Sequence, residues 1–192
     1  MLEQIKKIRE QTGAGVVDIK KALDETGGDE AKAIEILRKK GQSKALKKAN
    51  REAKEGVVES YVHSNKKLGA MIKLYCETDF VARNEEFQEL AKDIAMHISA
   101  TDPQFLNPED VSDELVVKEK EIWTNQIKEE GKPEEMIGKI IEGKEKKFRE
   151  EISLMTQPFV KTPDITIGAL ITEKIGKVGE NIQIGDFSRF EL

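Results

Sequence analysis

The chain has 192 residues and a formal net charge of −5, with 36% charged and only 5% aromatic residues, a size that suits one ordinary domain or a small module joined to a larger one. At 38% hydrophobic it is too apolar for a disordered chain, and its single cysteine, Cys76, excludes an internal disulfide framework and fits a reducing compartment. No run reaches the roughly 18 apolar residues of a membrane span and the opening MLEQIKKIREQ has no apolar signal-peptide centre, so a cytoplasmic protein without membrane contact is expected.

Residues 1–55 predict three short helices. Leu2, Ile5 and Ile8 recur at helical spacing, and Gly13 suits the left-handed cap that ends a helix. Val16, Val17, Lys20 and Leu23 begin a second helix, which Gly27-Gly28 stops. Asp29 is the expected N-cap of a third, carrying Ala33, Ile34 and Leu37. Three helices in so short a stretch form a small bundle with one shared core. From Arg38 to Lys54 there are eight basic residues and one acid, Glu52, which predicts the end of the third helix and a helical or flexible connector.

A boundary is expected near Glu55-Gly56, where the charge also changes. Residues 1–55 carry 14 Lys and Arg against 10 Asp and Glu, while the remainder carries 18 against 27. A basic head on an acidic body points to two modules, 1–55 and 56–192, with different partners.

The body opens with VVESYVH at 57–63, a β-rich run, and a turn at Ser64-Asn65-Lys66-Lys67. Leu68, Ala70, Ile72, Leu74 and Cys76 then alternate with the residues between them, which predicts a second strand paired as a hairpin. Phe87, Leu90, Ile94 and Ile98 mark a helix capped by Asn84. Helical stretches around 112–130 and 133–153 are separated by Gly131-Lys132-Pro133, and Pro158 and Pro163 punctuate a loop. Ile167, Leu170, Ile171, Ile175 and Val178 define a last helix ended by Gly179, and NIQIGDFSRFEL reads as a final strand bulged at Gly185-Asp186. The expected fold is α+β: the helical bundle, then a core with a three-stranded antiparallel sheet covered by helices.

Catalytic equipment is sparse. His63 and His97 are the only histidines and have no metal-ligand spacing; no phosphate-binding glycine loop, Gly-x-Ser-x-Gly elbow or Cys-x-x-Cys is present. Cys76 shares a strand face with Leu68, Ile72 and Leu74 and reads as a buried, inert thiol. No metal, cofactor, bound nucleotide or enzymatic activity is expected. The run from Arg38 to Lys54 favours phosphate contact, but the acidic balance and the lack of interleaved aromatics speak against nucleic acid.

One segment stands apart. Thr78-Asp79-Phe80-Val81-Ala82-Arg83-Asn84 joins acid, aromatic and arginine at a strand–helix junction, where a rigid scaffold presents them to a partner. A second reading stays open: Phe80 precedes Phe87 by seven residues, so one continuous helix would place it on the buried stripe.

Glu77 through Asn84 resembles the signature of the elongation factor Ts family. Thr12-Gly13-Ala14-Gly15, Val16, Val17, Asp18 and Lys20-Lys21-Ala22-Leu23 resemble its second signature. Gly131-Lys132-Pro133, Gln157-Pro158-Phe159, Gly179-Glu180-Asn181-Ile182 and Arg189-Phe190-Glu191 follow in the family's order, so the resemblance spans residues 2 to 191.

The resemblance implies a ubiquitin-associated-like three-helix bundle followed by an α+β core. It implies guanine-nucleotide exchange on elongation factor Tu in translation elongation, without covalent chemistry. Arg9, Val16 and Val17 would meet Tu's nucleotide-binding domain; the family more often has methionines at the two valines and often a cysteine at Ile19. Phe80 would insert near Tu's magnesium site, with Asp79 in support, and so loosen GDP. Gly185-Asp186 departs from the two arginines many members carry before the final strand's phenylalanine. The chain holds one core subdomain where long members have two, which implies a homodimer formed through the C-terminal sheet.

Overall fold

Alternation at 68–76 is the strongest local signal, and it organises the sheet. In the computed structural model, which describes residues 2–12, 14–130 and 133–192 apart from the side chains of Glu10 and Glu135, this segment is the central strand. The chain forms two compact units, one of residues 1–99 with 169–192 and one of residues 100–168.

In the first unit, α1 (Leu2–Thr12), α2 (Val16–Glu25) and α3 (Glu30–Leu46) form the bundle. Ile5, Ile8, Ile19, Ala22, Leu23, Ala33 and Leu37 make its core, with Ile34 packed beside them. Leu2 is 85% exposed and the two valines opening α2 also face out, so the buried face of α2 is carried by Ile19, Ala22 and Leu23. Gly27 and Gly28 take positive φ and end α2, and the Asp29 side chain accepts from the Lys32 N–H, as an N-cap does. The cap expected at Gly13 lies outside the described residues. Half of the basic run is helical, since α3 continues to Leu46 before the chain turns.

Strands β1 (Glu55–Val62), β2 (Leu68–Cys76) and β5 (Gln183–Glu191) form an antiparallel sheet in the order β1-β2-β5. Ala70, Ile72, Leu74 and Cys76 are buried on one face of β2. Arg189 is the cross-strand partner of Ala70 and so shares that face; its guanidinium donates to the Ser99 carbonyl of α5 (Glu85–Thr101) at 3.0 Å. The buried face is therefore the one that α5 covers, with Phe87, Leu90, Ile94 and Ile98 buried as the spacing requires. Ile72 pairs with Phe187 and Leu74 with Ile184, leaving Gly185 and Asp186 opposite Lys73 alone. This is the expected bulge.

The second unit contains the hairpin of α6 (Asp113–Glu129) and α7 (Glu134–Glu151), joined through Trp123 and Phe148, whose rings meet edge-on at 5.6 Å. Arg149 ties its base, donating to the Val111 carbonyl at 2.8 Å and pairing with Glu145 at 3.1 Å. Gly131 and Lys132, expected to separate the two helices, lie outside the described residues. The loop expected around Pro158 and Pro163 is instead a small antiparallel pair, β3 (Pro158–Phe159) with β4 (Thr162–Thr166). Prolines sit at the margins of these short strands, where a missing N–H costs no ladder bond. Helix α8 (Ile167–Val178) leads back to the first unit and to β5.

Candidate functional site

Strand β2 ends at Cys76, and the next residues would have to continue as strand or turn sharply. They turn. Thr78 keeps extended backbone (φ −129°, ψ 155°), and its hydroxyl accepts from the Val81 N–H, capping a single turn of helix, α4 (Asp79–Ala82). The chain then breaks at Arg83-Asn84, and the Asn84 carboxamide oxygen accepts from the Glu86 N–H at 2.8 Å to start α5. Two short-range caps so close together split what would otherwise be one helix.

The split decides the fate of Phe80. A continuous helix would stack it over the buried Phe87; here it is 81% exposed while Phe87 is 1% exposed. The core reading of Phe80 is thus set aside. An exposed aromatic ring at such a junction is of the residue type that most often anchors interfaces.

Its neighbours divide by role. Ala82 is buried and seats α4 against β1 and β2, while Val81 is half-buried. Asp79, half-buried, and Arg83, exposed, pair with each other at 3.0 Å across the single turn. Such a surface pair adds little stability, which leaves both groups available to a partner. Arg9 is exposed on α1, and Val16 and Val17 are 43% and 69% exposed at the start of α2. These three lie on the bundle, whereas Thr78 through Asn84 form one contiguous element of the core.

Underneath the motif lies a feature that periodicity did not reveal. The Glu180 carboxylate accepts three hydrogen bonds from the turn: the Glu77 N–H at 3.1 Å, the Thr78 N–H at 3.0 Å and the Thr78 hydroxyl at 2.7 Å. In return the Glu77 carboxylate accepts from the Asn181 N–H at 2.6 Å. The Asn181 carboxamide donates to the Ala49 and Arg51 carbonyls, and the Arg51 guanidinium lies 3.5 Å from Glu77. Lys48 donates to the Gly179 carbonyl at 2.5 Å. Gly179 ends α8 with φ of 86°, a left-handed conformation that places Glu180 beside the turn. The network's one trace in the sequence is the Gly179-Glu180-Asn181 run, which belongs to the family resemblance.

These contacts also account for much of the basic run. Lys39 pairs with Glu35, Lys44 with Asp18 and Lys54 with Glu52, besides the contacts of Lys48 and Arg51. Five of its eight cations thus have intramolecular partners, as a solvated structural face has.

Cys76 is fully buried, and its Sγ donates to the Thr78 carbonyl at 3.2 Å. Burial pushes its thiol up to about 11, with the negative charge of Glu180 adding to the effect. A thiol so hard to ionise is a poor nucleophile. Among the described residues no three His, Cys, Asp or Glu side chains converge as a metal site would require.

Residues 5–192 match the family described as Elongation factor TS. An elongation factor Ts of Thermodesulfovibrio yellowstonii is 55% identical over 190 residues, covering 99% of this chain and 94% of that protein. Those of Carboxydothermus hydrogenoformans and Thermosipho melanesiensis are 52% and 53% identical, over 99% and 98% of this chain and 88% and 96% of theirs. Matches of this extent, over nearly the whole chain, place it in the elongation factor Ts family of translation elongation factors.

Proposed function

We propose that this protein is the guanine-nucleotide exchange factor for elongation factor Tu, and that Phe80 is the group that weakens Tu's hold on GDP. The observation that carries the reading is the exposure of Phe80 on a one-turn helix held from below. Binding energy acts on a partner's conformation only if the inserted group is rigid, because a floppy side chain would give way first. Asp79 and Arg83 orient the contact at the rim of the ring, and Arg9, Val16 and Val17 supply a second contact from the bundle. Insertion near the magnesium and phosphate-binding elements of Tu favours a Tu conformation of low nucleotide affinity. Linkage then requires GDP or GTP to weaken this protein's binding to Tu by the same factor. No acid, base or nucleophile enters, in keeping with the unreactive Cys76.

Release of a fluorescent GDP analogue from purified Tu tests the proposal. Wild type accelerates release, and Phe80→Ala loses about thirtyfold or more of the acceleration, as loss of a buried aromatic anchor does. Release unchanged at saturating wild type would refute the reading.

The same proposal places the protein in the cytoplasm, divides it into a module of residues 1–55 and a core of residues 56–192, and has it act as a homodimer through the C-terminal sheet. The sheet face opposite α5 supports the dimer. Val62 and Phe190 both neighbour Gly69 across the strands, and they, Met71 and Val58 are all exposed. An apolar row on an open sheet face favours cover by another chain. Light scattering at micromolar concentration is expected to give twice the 21.6 kDa of one chain, and Phe190→Lys to shift it toward one.

A further inference from the structure

Phe80 sits on an element too short to hold its own direction. A single helical turn has one or two internal hydrogen bonds and is not stable by itself. Something else must aim the ring, and the candidates are the groups that grip Thr78 and Glu77, the two residues immediately before the turn.

We propose that Glu180 is a positioning residue for Phe80, acting through the backbone of Glu77 and Thr78. It makes no claim on the partner; it rests on the reading that Phe80 is the exchange-active group. Its carboxylate takes both N–H donors at the end of β2, at 3.1 and 3.0 Å, and the Thr78 hydroxyl at 2.7 Å. That hydroxyl is the N-cap of α4. One side chain thereby sets both the point where the strand stops and the orientation of the capping group. Charge-assisted bonds of this kind are short and directional.

The clamp is itself held. The Glu77 carboxylate accepts from the Asn181 N–H at 2.6 Å, so the two glutamates cross between the segments, each carboxylate anchored on backbone of the opposite segment. Asn181 is 1% exposed and fastens the same segment to the Ala49 and Arg51 carbonyls. The segment after α8 is thus fixed to the connector on one side and to the turn on the other. A rigid support for a functional group needs such an outer layer of contacts.

A merely structural glutamate would lower stability and affect exchange only by unfolding the chain. A positioning glutamate acts through Phe80, so its effect vanishes when Phe80 is gone. The experiment is GDP release from Tu at saturating concentrations of wild type, Glu180→Ala, Glu180→Gln, Phe80→Ala and the double variant Phe80→Ala/Glu180→Ala, with amide hydrogen exchange measured from Thr78 to Ala82. Glu180→Ala is expected to slow release about tenfold and to speed amide exchange across the turn about tenfold. Glu180→Gln retains most activity, because its amide oxygen still accepts from the two N–H groups and its NH2 can donate to Thr78. In the Phe80→Ala background, removing Glu180 changes release less than about twofold.

Equal losses in both backgrounds, or wild-type release by Glu180→Ala, would overturn the inference while leaving the exchange function standing. Damage from Glu180→Gln as large as from Glu180→Ala would point to a direct charge contact with Tu and would also overturn it. No acceleration by wild type brings down both readings together. Should Glu180→Ala fail to fold, Thr78→Val, which removes the hydroxyl of the clamp, takes its place in the same cycle with the same expected pattern.

Discussion

Phe80 and Phe87 are seven residues apart in a stretch that is helical on either side of one break, yet one is exposed and the other fully buried. The energetic consequences differ accordingly. Phe87→Ala is expected to cost about 3–5 kcal/mol in urea unfolding, through lost transfer energy and the cavity left behind. Phe80→Ala is expected to stay within about 0.5 kcal/mol of wild type, as substitutions at exposed sites do. If Phe80→Ala were as destabilising as Phe87→Ala, the exposed placement of the ring would be wrong. Cys76 offers a second test at this scale. Its thiol is raised to about 11 in the fold from an ordinary 9.0, so the protonated form is favoured in the native state. The contribution to stability is complete below the unfolded value and is lost as pH rises through that window. Melting temperature is expected to fall more steeply between pH 9 and pH 11 in wild type than in Cys76→Ala.

Among elements, α4 and the segment 179–181 depend on each other, while the bundle and the helical hairpin depend on their own cores and on ion pairs. Lys177 holds the Glu86 carboxyl below its ordinary range by hydrogen bonding, and Lys120 does the same for Glu145. Hydrogen bonding from Lys44 lowers Asp18 likewise. Groups lowered in the fold contribute stability that is present above their unfolded values and is lost as pH falls through their folded ones. Thermal stability should therefore decline as pH is brought below about 4.5. The loss is expected to be modest, because these pairs are partly exposed and screened. Replacing Glu86 by Gln should flatten part of that decline, and an unchanged acid limb would remove this pair from the account.

For the whole molecule, the basic run has a structural and a topological consequence. Residues 47–54 carry four cations and the chain's turn out of α3, and three of the contacts made there reach the segment after α8. Limited trypsin digestion is expected to cut first between Lys47 and Lys54, giving fragments that correspond to the proposed module and core. A first cut within β1, β2 or β5 would argue against that division. Asn181→Ala, which removes two of the ties, should speed the cleavage several-fold, as local opening becomes easier.

Local chemistry alone determined a good deal. Period-two alternation marked β2, since only one face of an antiparallel strand meets the core. Helical spacing marked α5 and α8, Asp29 and Asn84 marked helix starts, and Gly185-Asp186 marked the bulge, because each of these is dictated by backbone geometry within a few residues. The Thr78–Asn84 motif was likewise readable as a strand–helix junction that joins acid, aromatic and arginine. Its exposure was not, because the helical spacing to Phe87 is the same whether or not the chain breaks at Arg83-Asn84, and the grip of Glu180 on Thr78, 102 residues away, is likewise invisible there. Sequence spacing carries no information about which distant carboxylate closes on which amide. The short β3–β4 pair and the outward placement of Leu2 belong to the same class. They were decided by what the rest of the chain packs against, and so became visible only in the tertiary structure.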